Sequence, residues 1–179
     1  NSRRSFIAAT VSATLLPGFS ARAQANTLRC VVPFPPGGGT DVLGRTLVES
    51  MRGSLGMTIV VENKPGASTN IAAQDVTRAA PDGRTVLQAD NALMAFNEHL
   101  FKKLPADPDK DFSYIGGIGK FPLALVVHPD FPAKTFKEFM AYVRAHPGQV
   151  NYASPGNGSP HHLAMEMFKN RTKTFLVHI

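Results

Sequence analysis

Short apolar runs alternate along this chain with amphipathic stretches. Residues 28–32, LRCVV, are mostly apolar, which predicts a buried strand. Leu43, Leu47, Met51 and Leu55 then recur every four residues and so share one helix face. Thr40 or Asp41 is the expected cap of that helix and Gly56 its stop. TIVVE at 58–62 predicts a second strand, and IAAQDVTRAA at 71–80 a second helix with Asn70 as N-cap. PDGR predicts a turn, TVLQAD at 85–90 a third strand, and NALMAFNEHLF at 91–101 a further helix.

The polar, proline-bearing stretch 102–111 reads as a connection. Residues 114–120 and 123–128 predict two strands around Phe121-Pro122, where the chain crosses toward a second unit. Thr135 and Glu138 have capping-box spacing. They precede a helix whose apolar face is Phe136, Phe139, Met140 and Val143, ended by Pro147-Gly148. VNYAS predicts a strand and PGNGS a loop. The helix after it has Ser159 as N-cap and Pro160 at its first position. TFLVHI at 174–179 predicts the last strand. This strand–loop–helix rhythm argues for an α/β fold with a parallel sheet.

Charge changes the picture only after one correction. The formal net charge is +6, but residues 1–25 read as an export signal. They place Arg3 and Arg4 before the apolar run 6–16, and Ala23-Gln24-Ala25 offers a cleavage pattern. A general secretory or a twin-arginine route is compatible with those arginines. Without this segment the chain carries +3, too little and too dispersed for a nucleic-acid partner. Cys30 is the single cysteine, so no internal disulfide forms; it is expected to act as a small buried hydrophobe.

One device recurs three times: a strand, a loop rich in Gly, Pro, Ser or Asn, then a helix start. The loops carry Pro36, Gly37, Gly38, Gly39, Thr40 and Asp41; Gly66, Ala67, Ser68, Thr69 and Asn70; and Ser154, Gly156, Asn157, Gly158 and Ser159, with His162 just beyond. In open α/β sheets such loops lie at the carboxyl ends of the strands, where ligands bind. Helix starts there favour anions. No Walker-type phosphate loop and no G-x-G-x-x-G occurs, and Lys64 is the one cation in these loops. Neutral donors of this kind suit a carboxylate better than a multiply charged phosphate.

VPFPPGGGTDVLGR, VVENKPGASTNIAA, PDGRTVL and VNYASPGNGSPHHLAMEMF resemble the Bug-type periplasmic substrate-binding proteins of tripartite tricarboxylate transporters. The resemblance covers nearly all of residues 27–179. It implies a periplasmic-binding-protein-like, two-lobed α/β clamshell, with helices flanking parallel or mixed sheets. It implies a monomeric receptor in the periplasm that captures a small carboxylate (a dicarboxylate or tricarboxylate, an acidic amino acid or an aromatic acid) and delivers it to membrane permease subunits. Residues 36–41 and 66–70 would hold the carboxylate from the first lobe, and residues 154–162 would face them. Family members are about twice as long, so residues 26–120 are expected to form the first lobe and 121–179 an incomplete second lobe.

The individual residues carry alternatives. Asp41 could meet an amino or hydroxyl group of a ligand, or could serve the helix dipole as a first-turn acid. Ser68, Thr69 and Asn70 could donate to a carboxylate or serve as caps, as could Ser154, Asn157 and Ser159. His161, His162 and Glu166 make a poor metal set, because adjacent helical histidines point about 100° apart. No metal or cofactor is expected. No nucleophile–base pair stands at motif spacing, so an exported α/β hydrolase or transferase using the same loops as an anion site is the competing reading. A third is a fragment with no activity of its own.

Overall fold

A computed structural model describes residues 26–179. The expected export segment, 1–25, lies outside the described residues. Strand β1, Thr27–Val32, is the centre of a three-stranded sheet. β2, Thr58–Asn63, and β3, Thr85–Leu87, pair on either side of it, both parallel. Helix α1, Gly39–Leu55, connects β1 to β2, and α2, Asn70–Thr77, connects β2 to β3. Val31 and Val32 are fully buried, as expected of a central strand in a parallel sheet. Leu28, Cys30, Val48 and Ile59 form a core against α1. Cys30 is thus the buried small hydrophobe its position suggested, and burial raises its thiol pKa.

The third strand ends one residue after it pairs with Cys30, three residues short of the 85–90 expected. Gln88 then turns its side chain to α1, where Nε2 donates to the Thr40 carbonyl at 3.0 Å. A Cβ on Gly44 would lie 2.3 Å from Gln88 Oε1, so a larger residue there would displace the Gln88 side chain. A π-helical turn, Ala92–Phe96, continues into α3, Asn97–Leu100.

The second unit is smaller. Helix α4, Phe136–Ala145, begins with the full capping box of Thr135 and Glu138. β4, Asn151–Tyr152, pairs in parallel with β5, Val177–His178, and α5, Pro160–Thr172, connects them. Ser159 caps α5 and Pro160 occupies its first position, as the sequence predicts. Phe139, Met140, Val143, Tyr152 and Leu176 form the core here.

The expected strands at 114–120 and 123–128 do not form. Ile115 is 88% exposed and Val126 80% exposed. The composition favours strands, but a strand needs a partner for its N–H and C=O groups. Among the described residues none runs alongside. The capping expectations for the first two helices also need correction. Gly38 stands at the N-cap of α1, with Thr40 and Asp41 inside the first turn. Thr69 stands at the N-cap of α2, with Asn70 its first helical residue.

Candidate functional site

The loops after β1, β2 and β4 converge at the carboxyl ends of their strands. They enclose a groove of about 300 Å³. Pro33, Phe34 and Pro35 form one wall, and Pro65, Gly66, Ala67, Ser68 and Thr69 the next. Ala92 and Phe101 close one side, and Pro155, Gly156, Asn157 and Ser159 arrive from the second unit. A smaller cleft of about 230 Å³ shares Phe34, Pro35 and Pro155 with it and adds Pro36, Gly38, Gly39 and Thr40.

Most of the sequence-predicted residues therefore come together. Gly37, Asp41, Asn70, Ser154, Gly158 and His162 line neither cavity.

The loop after β2 has the least common backbone. Ala67, Ser68 and Thr69 have φ of 47°, 50° and 72°, a left-handed turn built without glycine. Each such residue costs about 1–2 kcal/mol. Gly66 precedes them with φ 122°, and a Cβ there would lie 2.6 Å from Ile71 Cδ1. The turn is held from below by Asn97, which is fully buried. Its Nδ2 donates to the Ser68 carbonyl at 2.7 Å and to Asn70 Oδ1 at 3.2 Å. Ser68 Oγ and Thr69 Oγ1 are both buried and have no hydrogen-bond partner. Thr69 is only 4% exposed. A buried polar atom without a partner costs about 1–3 kcal/mol. Backbone strain and unpartnered hydroxyls thus coincide at this turn.

The triple glycine serves differently at each position. Gly37 takes φ 85°, and its N–H donates to Asp41 Oδ2 at 2.9 Å. A Cβ on Gly38 or Gly39 would meet no closer protein atom than the Pro35 carbonyl at 3.7 Å. Protein packing does not demand glycine at these two positions, and the space left open is the smaller cleft. Asp41 is buried with both oxygens engaged. Arg45 Nε donates to Oδ1 and Oδ2 at 3.1 and 3.0 Å, and Asn63 Nδ2 to Oδ1 at 2.8 Å. The bonds from Arg45, Gly37 and Asn63 hold its pKa down to about 2. Of the two readings of Asp41, the structural one describes its geometry: the carboxylate ties the first turn of α1 to the end of β2.

The expected cation, Lys64, is also committed. Its Nζ donates to Asp75 Oδ1 at 2.6 Å, and Asp75 Oδ2 is bound by Arg29. Arg29 Nε reaches Glu62 Oε2 at 2.9 Å, so this network fastens α2 to the sheet.

On the second-unit side, Gly158 has φ 78°, and its N–H donates to His162 Nδ1 at 3.2 Å. A Cβ there would lie 2.9 Å from Ser68 Oγ and 3.1 Å from Leu100 Cδ1. Glycine is what lets the two units touch at this point. Burial, then the neighbouring His178, lowers the His162 pKa. Glu166 accepts from Lys169 Nζ at 2.7 Å and Tyr152 Oη at 2.6 Å, and these bonds hold its pKa below the usual carboxylate range. Ser154 Oγ lies 2.8 Å from His178 Nε2. Among the described residues that is the one serine–histidine side-chain hydrogen bond, and Ser154 Oγ also exchanges bonds with Gly156. Among the described residues no group of His, Cys, Asp and Glu could hold a metal ion.

The profile of the family described as "Tripartite tricarboxylate transporter family receptor" matches residues 43–179. The chain belongs to this receptor family. Protein BugT of Bordetella pertussis is 35% identical over 167 residues, covering 93% of this chain and 49% of BugT. A solved periplasmic transporter is 40% identical with a TM-score of 0.76, over 86% of this chain and 51% of that one. The structure "R. palustris Rpa4515 with adipate" is 27% identical with a TM-score of 0.75, over the same shares. The chain thus has the periplasmic-binding-protein fold, as its sequence resemblance implied, and spans about half the length of the curated relatives it matches. Among the described residues, no helix is long and apolar enough to cross a membrane.

Sequence reasoning did not single out the apolar residues of the groove. Phe34, Pro35, Pro65 and Pro155 adjoin the residues it singled out, and their position beside the glycines was the available signal. Phe101 and Ala92 gave no such signal, since only the π-helical turn carries them there.

Proposed function

We propose that this protein is an extracytoplasmic solute receptor that binds a small carboxylate in the groove between its two units. Its family supports a further role in delivering that solute to the permease subunits of a tripartite tricarboxylate-type transporter. The observation that carries the reading is the pair of buried, unpartnered hydroxyls of Ser68 and Thr69 on a left-handed turn. Two adjacent hydroxyls can donate to the two oxygens of one carboxylate. The helix start behind the Gly38–Gly39 cleft adds N–H groups and a favourable dipole. Gly156, Asn157 and Ser159 face this turn from the other side, as a clamshell requires. The adipate held by Rpa4515 supports the same solute class. The export segment at 1–25 and a periplasmic location belong to this reading, as do lobes at 26–120 and 121–179.

A thermal-shift screen of carboxylic acids tests it. Saturable stabilisation by an acid, lost in Ser68→Ala/Thr69→Val, is expected. Ester hydrolysis abolished by Ser154→Ala, with no stabilisation by any acid, would replace the receptor by an enzyme.

A further inference from the structure

Asn157-Gly158 is the one Asn-Gly pair in the chain. An asparagine side-chain carbonyl carbon and the next residue's backbone nitrogen can close a five-membered ring. Glycine obstructs that closure least, because it carries no Cβ. Two things ordinarily hold the reaction back. The backbone nitrogen keeps its proton, and the asparagine side chain is held away from it by bonds of its own.

Here the proton already has an acceptor. Gly158 N–H donates to His162 Nδ1 at 3.2 Å, at the edge of general-base reach. His162 is surrounded by Glu166 and Lys169 of its own helix, Tyr152 of β4 and His178 of β5. Burial, then His178, lowers its pKa, so the ring is neutral at neutral pH and Nδ1 can take a proton. The Glu166 carboxylate lies 3.9 Å from Nε2, where it favours the imidazolium that would form. The asparagine side chain is also unrestrained. Asn157 is exposed while Gly158 is buried. The Asn157 amide makes no hydrogen bond to any other described residue. Ser159 N–H donates to the Gly156 carbonyl at 3.2 Å, closing a turn with Asn157 and Gly158 at its centre. That turn keeps the Gly158 nitrogen facing the histidine.

We propose that Asn157 is a self-modification site, deamidated with His162 as general base. His162 Nδ1 takes the Gly158 N–H proton as the nitrogen bonds to Asn157 Cγ. The Cγ–Nδ2 bond then breaks, and Nδ2 leaves as ammonia with the proton returned by His162. Water opens the resulting succinimide to aspartate or isoaspartate. One water is consumed and one ammonia released, and nothing is oxidised or reduced. The product puts a carboxylate into the groove wall that also carries Ser68 and Thr69, where it repels an entering anion. The step itself needs no solute, so its failure leaves the receptor reading untouched.

Incubation of the 179-residue protein at neutral pH tests this, with ammonia release and the amide-to-acid mass gain read on the peptide that carries Asn157. The folded protein is expected to convert at least about tenfold faster than the same chain unfolded in urea, where His162 no longer faces Gly158. His162→Gln keeps an acceptor for Gly158 but cannot take a proton. It is expected to convert at least about tenfold more slowly than the folded parent. The variant's rate should rise in proportion to hydroxide, while the parent's levels off once His162 is neutral. Circular dichroism matching the parent shows that the variant is folded; if it is not, the urea comparison decides. Folded parent converting no faster than the chain in urea overturns the proposal. A folded His162→Gln converting at the parent's rate, or a parent rate proportional to hydroxide throughout, also overturns it.

Discussion

The backbone N–H of Gly158 donates to Nδ1 of His162 at 3.2 Å, which fixes His162 as a neutral ring with an unprotonated Nδ1. Protonation there would turn the acceptor into a donor facing another donor. Burial and His178 both lower the His162 pKa, while Glu166, 3.9 Å from Nε2, opposes them. The folded-state pKa thus lies below the unfolded value near 6.5. Stability from this arrangement is fully present above about pH 6.5 and is lost as pH falls through the folded pKa. The melting temperature should fall between pH 7.5 and 5. In His162→Gln, which keeps an acceptor and cannot titrate, part of that slope should vanish. An unchanged slope in the variant would show that His162 is not the group responsible.

Asn97 lies under the groove and does not line it, yet both of its side-chain hydrogen bonds hold the 67–70 turn. Asn97→Ala should cost about 1–3 kcal/mol of stability, read from the denaturant midpoint. It should also weaken carboxylate binding, because the left-handed turn loses its support. Binding left intact in a destabilised variant would mean that the turn holds itself.

Ser68→Ala and Thr69→Val should separate function from stability. Each removes a buried hydroxyl that has no partner in the free protein. Stability is expected to hold or rise by up to about 1 kcal/mol, while affinity for the acid falls about tenfold or more. Loss of stability on removing both hydroxyls would show that they are satisfied within the free protein.

Gly39 and Gly66 should respond in opposite ways to alanine. Gly39 is the first residue of α1 with open space around it, so Gly39→Ala should leave the melting temperature unchanged or slightly raised. Gly66→Ala meets both a φ of 122° and the Ile71 side chain, and should lose about 1–3 kcal/mol. Thermal melts of the two variants side by side decide the point.

Asp41 is held ionised by Arg45, Gly37 and Asn63, with its pKa lowered to about 2. Its contribution is fully present above the unfolded value near 4 and is lost as pH falls from there toward 2. Asp41→Asn should cost about 1.5–3 kcal/mol at neutral pH and should flatten the acid limb of the stability profile in that window. An acid limb identical to the parent's would place the sensitivity elsewhere, for instance at Glu166.

Local signals carried much of this fold, because each was written within a few residues. The box of Thr135 and Glu138, the Ser159-Pro160 start of α5 and the Gly56 stop of α1 all formed as their spacing indicates. The three loops were legible for the same reason: turn residues between a strand and a helix place a loop at the carboxyl end of a parallel strand. Residues 114–128 misled because apolar composition reports a tendency to pair, while pairing needs a second strand that local sequence cannot supply. The turn at 67–69 could not be read at all. Alanine, serine and threonine ordinarily avoid positive φ, and here they are forced into it by Asn97, 28 residues beyond Thr69.

The sequence by itself determined the α/β order, the family and the three loops that line the groove, since these depend on periodicity, caps and contiguous motifs. Tertiary structure decided which of the loop residues face the groove and which brace it. It turned Asp41 and Lys64 inward to their own partners, left Ser68 and Thr69 with none, and brought Phe101 across to the prolines. Those outcomes rest on contacts between distant segments, where the partner of each charge and hydroxyl is chosen by packing.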